Sequence, residues 1–290
     1  MKILVVVVTY NGLRWLDKCL GSVAAGRFDA ADAGGQVVDL FVVDNASADG
    51  SADYVAEHFP SAILVRNSSN TGFAAANNLG MQYALDHDYD YVYLLNQDAW
   101  LFPETLDLLA RASQTHPAYG ILSPMQMQGN GLSMDSQFAK LFAGAVPDTD
   151  ATPADNNTGH PAAGIVLLAA RVMAAHWLIR CDALRQTGLF SEEFPIYGQD
   201  DDLCNRMRAA GWLTGIVPEA IAIHDRAQRT EDKSKLIFRN YYTGSLVRLR
   251  NPLLPRWKAW GYIIPLTFVK AVKYRSMEPF KYFIKLVKAR

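Results

Sequence analysis

Carboxylates stand at two places in the sequence where they could bind a metal ion or move a proton. Asp98 lies just after the apolar run 91–95, and a carboxylate there is a suitable ligand for a hard divalent cation that would neutralise a substrate diphosphate. Residues 200–202 are three consecutive aspartates, and one of them could be the general base that deprotonates a hydroxyl. Structural alternatives exist, because Asp98 could cap a helix and Asp202 lies four residues before Arg206, the spacing of a helical ion pair.

Other polar side chains share this position after an apolar run. His224 follows the run 221–223 and could complete a metal site with Asp98, although a lone histidine is often structural. Asp44, after the run 37–43, could accept hydrogen bonds from a base or a ribose hydroxyl, or it could cap the next helix. The remaining candidates of this kind are Thr9, Asn11 and Asn77.

The elements that would position these residues alternate between strands and helices. A continuous apolar run at residues 3–8 and mostly apolar stretches at 37–43, 63–65 and 91–95 predict buried strands, with helical spacing between them. This series predicts an α/β fold of the nucleotide-binding kind, with a mostly parallel central sheet flanked by helices. Ligands of such sheets gather at the carboxyl ends of the strands, where the candidate side chains lie.

Regular patterning is weaker in the second half of the chain. Residues 120–122 predict a short strand, residues 213–224 a pair of strands and residues 233–250 a helix. Segment 147–161, which is rich in Pro, Asp, Asn and Thr, predicts an exposed loop.

Charge divides the chain into an acidic body and a basic tail. The 290 residues include 28 Lys and Arg against 29 Asp and Glu, and this balance argues against a chain that binds nucleic acid along its length. Residues 251–290 contain nine basic side chains and one acid, Glu278. Apolar and aromatic residues among the lysines are typical of interfacial helices, so residues 256–290 could contact a membrane surface. The alternative is a helical pair that packs on the body and leaves its basic face in solvent.

Cysteine spacing and hydropathy indicate the cellular compartment in which the protein is expected. Cys19, Cys181 and Cys204 are odd in number and lack a CxxC spacing, which argues against a disulfide framework or a zinc site. No run reaches the roughly 18 apolar residues of a spanning helix, and the first apolar run is too short for a signal peptide. We therefore expect a cytoplasmic protein, peripheral on the inner face of the cytoplasmic membrane if the tail binds there.

An ordered series of motifs resembles one protein family. The motifs are VVTYNG (7–12), VVDNASADGS (42–51), NTGFAAANNLG (70–80), LLNQDA (94–99), WLIRCDAL (177–184), GLFSEEFPIYGQDDDLCNRMRAAGW (188–212) and His224. Together they resemble the inverting family 2 glycosyltransferases with the GT-A fold, especially the bacterial rhamnosyltransferase-like branch. The resemblance implies a GT-A domain over residues 1–250, with a nucleotide-sugar-binding half (1–100) and an acceptor-side half (101–250), followed by a basic amphipathic helical tail (251–290).

The resemblance also implies a role for each candidate on the donor side. Thr9, Asn11 and Asp44 would hold the nucleoside of a nucleotide-sugar. Asn77 would contact the donor, and Asn96 would occupy the first place of the family's DxD-like motif. Two further residues would lie at the diphosphate, where Mg²⁺ or Mn²⁺ would bind: Asp98 and His224.

On the catalytic and acceptor side, Asp200 matches the family's usual base, with Asp201 and Asp202 as alternatives. Trp177 and Gln199 match the acceptor side. Two positions depart from the family pattern, because Gln199 stands where a Glu is common and Gln97 where a Pro is common. The neutral Gln199 could alter acceptor choice or weaken activity.

The implied function is inverting sugar transfer from a nucleotide-diphosphate donor to a hydroxyl of a growing surface polysaccharide, lipopolysaccharide or glycolipid. The acceptor would be a glycan or a lipid-linked glycan. The branch implies rhamnose from dTDP-rhamnose first, while glucose, galactose, N-acetylglucosamine and galactofuranose stay open. Two alternatives remain. A sugar nucleotidyltransferase would show a glycine-rich, basic loop after the first strand, and none follows Val8; a catalytically degenerate nucleotide-sugar-binding protein is suggested by Gln97 and Gln199.

Overall fold

The computed structural model describes residues 1–26, 37–148, 164–194, 197–226 and 233–288. In these ranges a ten-stranded sheet is flanked by helices, which confirms the predicted α/β fold. Most of the loop predicted at 147–161 lies outside the described residues.

The described strands are β1 (Lys2–Thr9), β2 (Val37–Asp44), β3 (Ile63–Arg66), β4 (Tyr91–Asn96), β5 (Ala99–Leu101), β6 (Tyr119–Met127), β7 (Val146–Pro147), β8 (Leu167–Leu168), β9 (His176–Arg180) and β10 (Leu213–His224). The described helices are α1 (Leu13–Ala24), α2 (Ser51–His58), α3 (Phe73–Asp86), α4 (Thr105–Thr115), α5 (Ser136–Phe142), α6 (Cys181–Thr187), α7 (Gln199–Ala209), α8 (Lys233–Arg250), α9 (Arg256–Tyr274) and α10 (Glu278–Lys288).

The sheet contains both parallel and antiparallel neighbours. The order across the sheet is β3-β2-β1-β4-β9-β6-β10-β8-β7, and β5 pairs with β10. Strands β1 to β4 run parallel to one another, as expected for strands joined by crossover helices. β9 is antiparallel to both β4 and β6, so the two parallel parts of the sheet meet at this strand.

The core forms on both faces of β1, because alternate side chains of a strand point to opposite sides. Ile3, Val5 and Val7 pack with apolar residues of α1 and α4 on one face. Leu4 and Val6 pack with α3 on the other. All five side chains are fully buried, which explains why this strand reads as a continuous apolar run.

The structure corrects the pair of strands predicted over residues 213–224. These residues form the single strand β10, whose pairing with β6 shifts register between Val217 and Ile221. Pro218 lies in this interval and Pro124 lies opposite Val217. Because proline cannot donate a ladder hydrogen bond, the pairing is locally disrupted while the chain continues in the same direction. The three cysteines are free and buried.

Helices α8, α9 and α10 pack on one another through a small core of their own. Leu246, Ala259, Ile263 and Leu286 belong to it, and Phe194 joins it from the body. An ion pair between Arg250 and Glu193 adds a second link to the body. The tail predicted as helical therefore packs on the body through one side, and the domain boundary at residue 250 stays a prediction.

Among the described residues, no helix combines the length and the apolar character that crossing a bilayer requires.

Close packing of α3 on β1 gives a test of this arrangement. A Cβ at Gly80 would lie 2.5 and 2.6 Å from the two Cγ atoms of Val6. We expect Gly80→Ala to lower the free energy of unfolding by about 1–3 kcal/mol, because β1 or α3 must shift. Gly21→Ala in α1, where nothing lies within 4 Å of the added carbon, is the matched control and should raise stability by up to about 1 kcal/mol. Urea unfolding of both variants measures this, and equal effects would contradict the packing described.

Candidate functional site

The carboxyl ends of β1, β2 and β4 lie side by side at one edge of the sheet. In the ladder Thr9 pairs with Asp44, and Val8 pairs with Asn96. Thr9 and Asp44 are buried and Asn96 is half-buried. The structure thus brings together three residues predicted on the donor side from separate motifs.

Asp98 and His224 meet at the same edge. Asp98 lies in the turn between β4 and β5, and β5 pairs with the end of β10, where His224 lies opposite Ala99. His224 Nε2 is 3.6 Å from Asp98 Oδ1, and both side chains are buried. Asn96 Nδ2 lies 3.5 Å from the same Nε2. Two residues predicted as one metal site are therefore neighbours in the fold.

This pair suits a metal ion that is shared with a substrate. A carboxylate oxygen and an imidazole nitrogen are ligands that Mn²⁺ accepts readily, and Mg²⁺ commonly takes one carboxylate with substrate phosphates and water. In the part of the chain that the structure describes, no group of three or more His, Cys, Asp or Glu side chains could hold a metal ion. The donor set fits an ion completed by diphosphate oxygens and water, and not a closed structural site.

A second buried histidine, His176, lies next to His224 and was not predicted from the sequence. His176 Nε2 is 2.9 Å from the carbonyl oxygen of Ile223, and its Nδ1 is 2.9 Å from the Tyr93 hydroxyl. Because a carbonyl can only accept, Nε2 carries the hydrogen and Nδ1 accepts from Tyr93. Burial lowers the pKa of His176 to about 3, so the ring is neutral. It joins β4 to the end of β10, one residue before His224.

Gln97, which departs from the family pattern, ties the end of β1 to the end of β4. Its Oε1 accepts hydrogen bonds from the Thr9 hydroxyl at 2.9 Å and from the Tyr10 amide at 2.8 Å. Proline could make neither contact. The Thr9 hydroxyl is thus engaged inside the protein, and its role toward the donor stays a prediction.

Asp44 and Asn11 occupy the loops that follow β2 and β1. Asp44 Oδ2 accepts from the Ser47 amide at 3.1 Å, whereas its buried Oδ1 has no hydrogen-bond partner among the described residues. Asn11 has a φ of +49°, and its side chain accepts from the Ala48 amide at 2.9 Å. The two loops are therefore bound together, and one carboxylate oxygen remains able to accept a hydrogen bond from a ligand.

Asparagines before and within α3 have structural partners. Asn45 Oδ1 accepts from Asn67 Nδ2 and from the Thr71 amide, each at 3.0 Å, and so holds the loop before α3. Asn77 is buried and donates to the Phe73 carbonyl at 2.9 Å within its own helix. Its predicted contact with the donor stays untested. The pairing role of Asn45 was missed, because its partners lie more than 20 residues away.

The three aspartates of α7 have different environments. Asp201 forms an ion pair with Arg171. Asp202 pairs with Arg206 at 2.8 Å, as the helical spacing predicts, and Arg206 also donates to the Leu189 carbonyl. Asp200 forms an ion pair with neither of these two arginines. Burial first, and then the charge of Asp201, raise its pKa to about 6.

Residues 171–175 connect α7 to the carboxyl edge of the sheet. Arg171 holds Asp201, and the Ala175 carbonyl accepts from the Asn96 amide at 3.1 Å. The run of aspartates and the DxD-like turn are therefore linked through one short segment that leads into β9.

The two residues predicted on the acceptor side are both buried. Trp177 lies inside the core on β9, and its ring centroid is 6.1 Å from that of Phe190. Gln199 is the first residue of α7. Neither Trp177 Nε1 nor Gln199 Oε1 has a hydrogen-bond partner in the described ranges. An acceptor role for either side chain stays a prediction.

A cavity of about 320 Å³ opens beside His224. Polar residues dominate its lining: Gln128, Gly129, Asn130, Asp135, Ser136, His224, Asp225 and Arg226. A Cβ at Gly129 would lie 2.6 Å from Asp225 Oδ1, so the loop must come this close without a side chain. The size falls within the range of small-molecule sites. No motif in the sequence predicted this cavity, because its two segments share no pattern.

Comparison with known proteins shows which proteins this chain resembles. Residues 4–138 match the family model described as glycosyl transferase family 2. The N-acetylglucosaminyl-diphospho-decaprenol L-rhamnosyltransferase of Mycobacterium tuberculosis is 28% identical over 243 residues, which cover 78% of this chain and 76% of that protein. The undecaprenyl-phosphate mannosyltransferase of Micrococcus luteus is 30% identical over 118 residues, covering 40% of this chain and 45% of that one.

Solved structures share the architecture at low sequence identity. A crystal structure of S. aureus TarS 1-349 superimposes with a TM-score of 0.61 at 16% identity, covering 89% of this chain and 68% of that one. A structure of the same protein in complex with UDP-GlcNAc gives the same TM-score, covering 89% of this chain and 69% of that one. These findings confirm the resemblance seen in the motifs: residues 4–138 match the family 2 glycosyltransferase model, the chain is similar to a rhamnosyltransferase, and its fold is GT-A.

The raised pKa of Asp200 predicts how its replacement changes stability with pH. Below the ordinary pKa near 3.8 the carboxyl is protonated in both states, whereas above about 6 the folded protein must hold a charge that the unfolded chain carries more easily. We therefore expect Asp200→Asn to gain stability over the unchanged protein as pH rises from 4 to 8, by up to about 2–3 kcal/mol. Urea unfolding across this range measures the difference. Asp53→Asn, which removes an exposed ion pair with Arg66, should change stability little; a difference for Asp200→Asn that does not vary with pH would contradict the raised pKa.

Replacement of His176 tests whether its two hydrogen bonds hold β4 and the end of β10 together. His176→Phe would leave the Tyr93 hydroxyl and the Ile223 carbonyl without their partner, so we expect a loss of about 2–4 kcal/mol in the free energy of unfolding. His58→Phe, at an exposed position in α2, is the control and should cost far less. Denaturant unfolding measures both, and equal small losses would show that His176 does not hold β4 and β10 together.

Proposed function

We propose that this protein is a family 2 glycosyltransferase, which transfers a sugar from a nucleotide-diphosphate donor to a hydroxyl of a lipid-linked or growing glycan of the cell envelope. Rhamnose from dTDP-rhamnose is the first donor to consider, because the Mycobacterium tuberculosis relative is named for rhamnosyl transfer to N-acetylglucosaminyl-diphospho-decaprenol. The observation that supports this proposal most is the buried Asp98–His224 pair at the carboxyl edge of the sheet. A cytoplasmic site of action, at the inner face of the membrane, would suit a lipid-linked acceptor.

The nucleoside end of the donor would lie over the ends of β1 and β2. Asp44 Oδ1 is a buried acceptor without a partner in the described ranges, and it suits a hydrogen bond from the base or from a ribose hydroxyl. Asn11 sits beside it at the tip of the neighbouring loop. Gln97 ties the end of β1 to the end of β4, which would orient the donor before reaction.

The diphosphate end would reach Asp98 and His224. These two side chains would hold Mg²⁺ or Mn²⁺ together with diphosphate oxygens, while Asn96 lies close enough to hydrogen-bond the same group. When bound, the ion would neutralise the charge that develops on the departing nucleoside diphosphate. His176 would keep His224 in place for this contact.

Asp200 would act as the catalytic base. Asp201 and Asp202 are each held by an arginine, whereas Asp200 has a pKa of about 6 and is therefore mostly ionised at pH 7 while being more basic than an ordinary aspartate. It would take the proton of the acceptor hydroxyl as that oxygen bonds to the anomeric carbon. The bond from this carbon to the diphosphate oxygen breaks on the opposite face, and the configuration inverts.

The cavity beside His224 would hold a sugar ring. Asn130, Asp225 and Arg226 offer donors and acceptors of the kind that sugar hydroxyls require. Gln199, next to Asp200, carries no charge and would orient the acceptor through hydrogen bonds alone.

A donor screen on the purified protein tests this function. The protein would be incubated with Mg²⁺ or Mn²⁺ and each nucleotide-sugar, while thermal stabilisation and release of nucleoside diphosphate are measured. We expect Asp98→Ala to abolish metal-dependent stabilisation by the donor. Asp200→Asn should bind the donor normally but lower turnover about 100- to 10,000-fold, because it cannot accept the proton.

Asp182→Ala, at an exposed carboxylate of α6 paired with Arg185, is the control for both variants and should leave binding and turnover unchanged. Stabilisation without turnover, even when lipid-linked acceptors are supplied, would indicate a protein that binds nucleotide-sugar without catalysis. No response to any donor would exclude the nucleotide-sugar proposal.

A further inference from the structure

Helix α9 has two apolar faces, and only one of them is packed. Ala259, Ile263 and Thr267 are buried against the rest of the tail. On the opposite side, at helical spacing, lie four exposed side chains. Trp257 is 72% exposed, Ile264 44%, Phe268 56% and Val272 78%.

Helix α10 continues this exposed face. Its inner side buries Pro279 and Leu286, and its outer side carries Phe280, Ile284 and Val287. The Phe268 and Phe280 rings meet edge to face at 5.2 Å, so the two helices present one surface. We call this the tail apolar face; its residues are Trp257, Ile264, Phe268, Val272, Met277, Phe280, Ile284 and Val287.

Positive charge surrounds the tail apolar face. The basic residues of the two helices and the turn between them are Arg256, Lys258, Lys270, Lys273, Arg275, Lys281, Lys285 and Lys288. The single acid in this segment is Glu278, and it is already paired with Lys281. Lys273 and Lys288 are exposed. An apolar surface within a positive field is complementary to a surface that is apolar underneath and negatively charged on top.

We propose that the tail apolar face docks on an anionic lipid bilayer, with its apolar side chains at the boundary of headgroups and acyl chains and its lysines against the lipid phosphates. Neither described helix of the tail can cross a bilayer, so α9 and α10 would lie in the plane of the interface. A second copy of this chain is a poorer occupant, because apposing two such faces would bring two strongly basic surfaces together. Docking depends on the tail alone and does not depend on sugar transfer.

Cosedimentation with vesicles tests this docking. The purified full chain would be mixed with vesicles of phosphatidylcholine, or of an equal mixture of phosphatidylcholine and phosphatidylglycerol, at low and at high salt. We expect binding to the mixed vesicles, much weaker binding to phosphatidylcholine alone, and a strong decrease at high salt. Phe268→Asp/Val272→Asp should lower the bound fraction by at least about tenfold, because it removes two apolar side chains from the interface.

Two control pairs separate docking from general effects of charge and hydrophobicity. Leu79→Asp/Leu132→Asp removes two exposed apolar side chains from the body and should bind vesicles normally. Lys273→Glu/Lys288→Glu should weaken binding to mixed vesicles, whereas Lys18→Glu/Lys140→Glu, with the same change in net charge on the body, should not.

Three results would overturn the proposal. They are equal binding by the Phe268→Asp/Val272→Asp variant and its control, no binding of the unchanged protein to mixed vesicles, and a dimer in sedimentation velocity that dissociates in this variant. Thermal unfolding and donor-induced stabilisation of each variant show that the body is intact. Failure of docking with donor turnover preserved would leave the glycosyltransferase function unaffected, and the reverse result would leave docking unaffected.

Discussion

β1 is buried on both faces between two parallel neighbours, and the position of every candidate residue at the sheet edge depends on this burial. Its side chains contribute to two separate cores, so a shift of one residue in register would move each apolar side chain to the wrong core. The register therefore places Thr9 beside Asp44 and Asn96 beside Val8. Parallel pairing makes all three strands end at the same edge, and this is why polar residues from distant motifs become neighbours.

Buried polar groups at this edge of the sheet need hydrogen-bond partners. Most of the groups described above find one inside the protein. Gln97 joins the end of β1 to the end of β4, and His176 joins β4 to the end of β10. Asp44 Oδ1 has no such partner in the described ranges. An unpaired buried acceptor costs about 1–3 kcal/mol, and the hydrogen bond proposed from the donor would offset this cost.

The sequence predicted the strands with continuous β-branched runs, because burial on both faces leaves a pattern that one strand shows by itself. It did not predict β9, whose five residues pair antiparallel between β4 and β6 and show no turn signal beside them. Among the aspartates of α7, the pairing of Asp202 with Arg206 was readable from the helical spacing. The partner of Asp201 was not, because Arg171 lies 30 residues away, and the distinct environment of Asp200 follows only once both pairs are known.

Two opposing effects act on Asp200, and their balance bears on its chemistry. The amino end of α7 favours a charged aspartate, yet burial and the neighbouring charge of Asp201 outweigh it and raise the pKa to about 6. Arg171 lies on Asp201 and therefore limits the repulsion that Asp200 feels. An acceptor that covers Asp200 would exclude more water, and desolvation would raise the pKa further. If Asp200 is the base, as proposed, the carboxylate would therefore become a stronger base when the acceptor hydroxyl has bound.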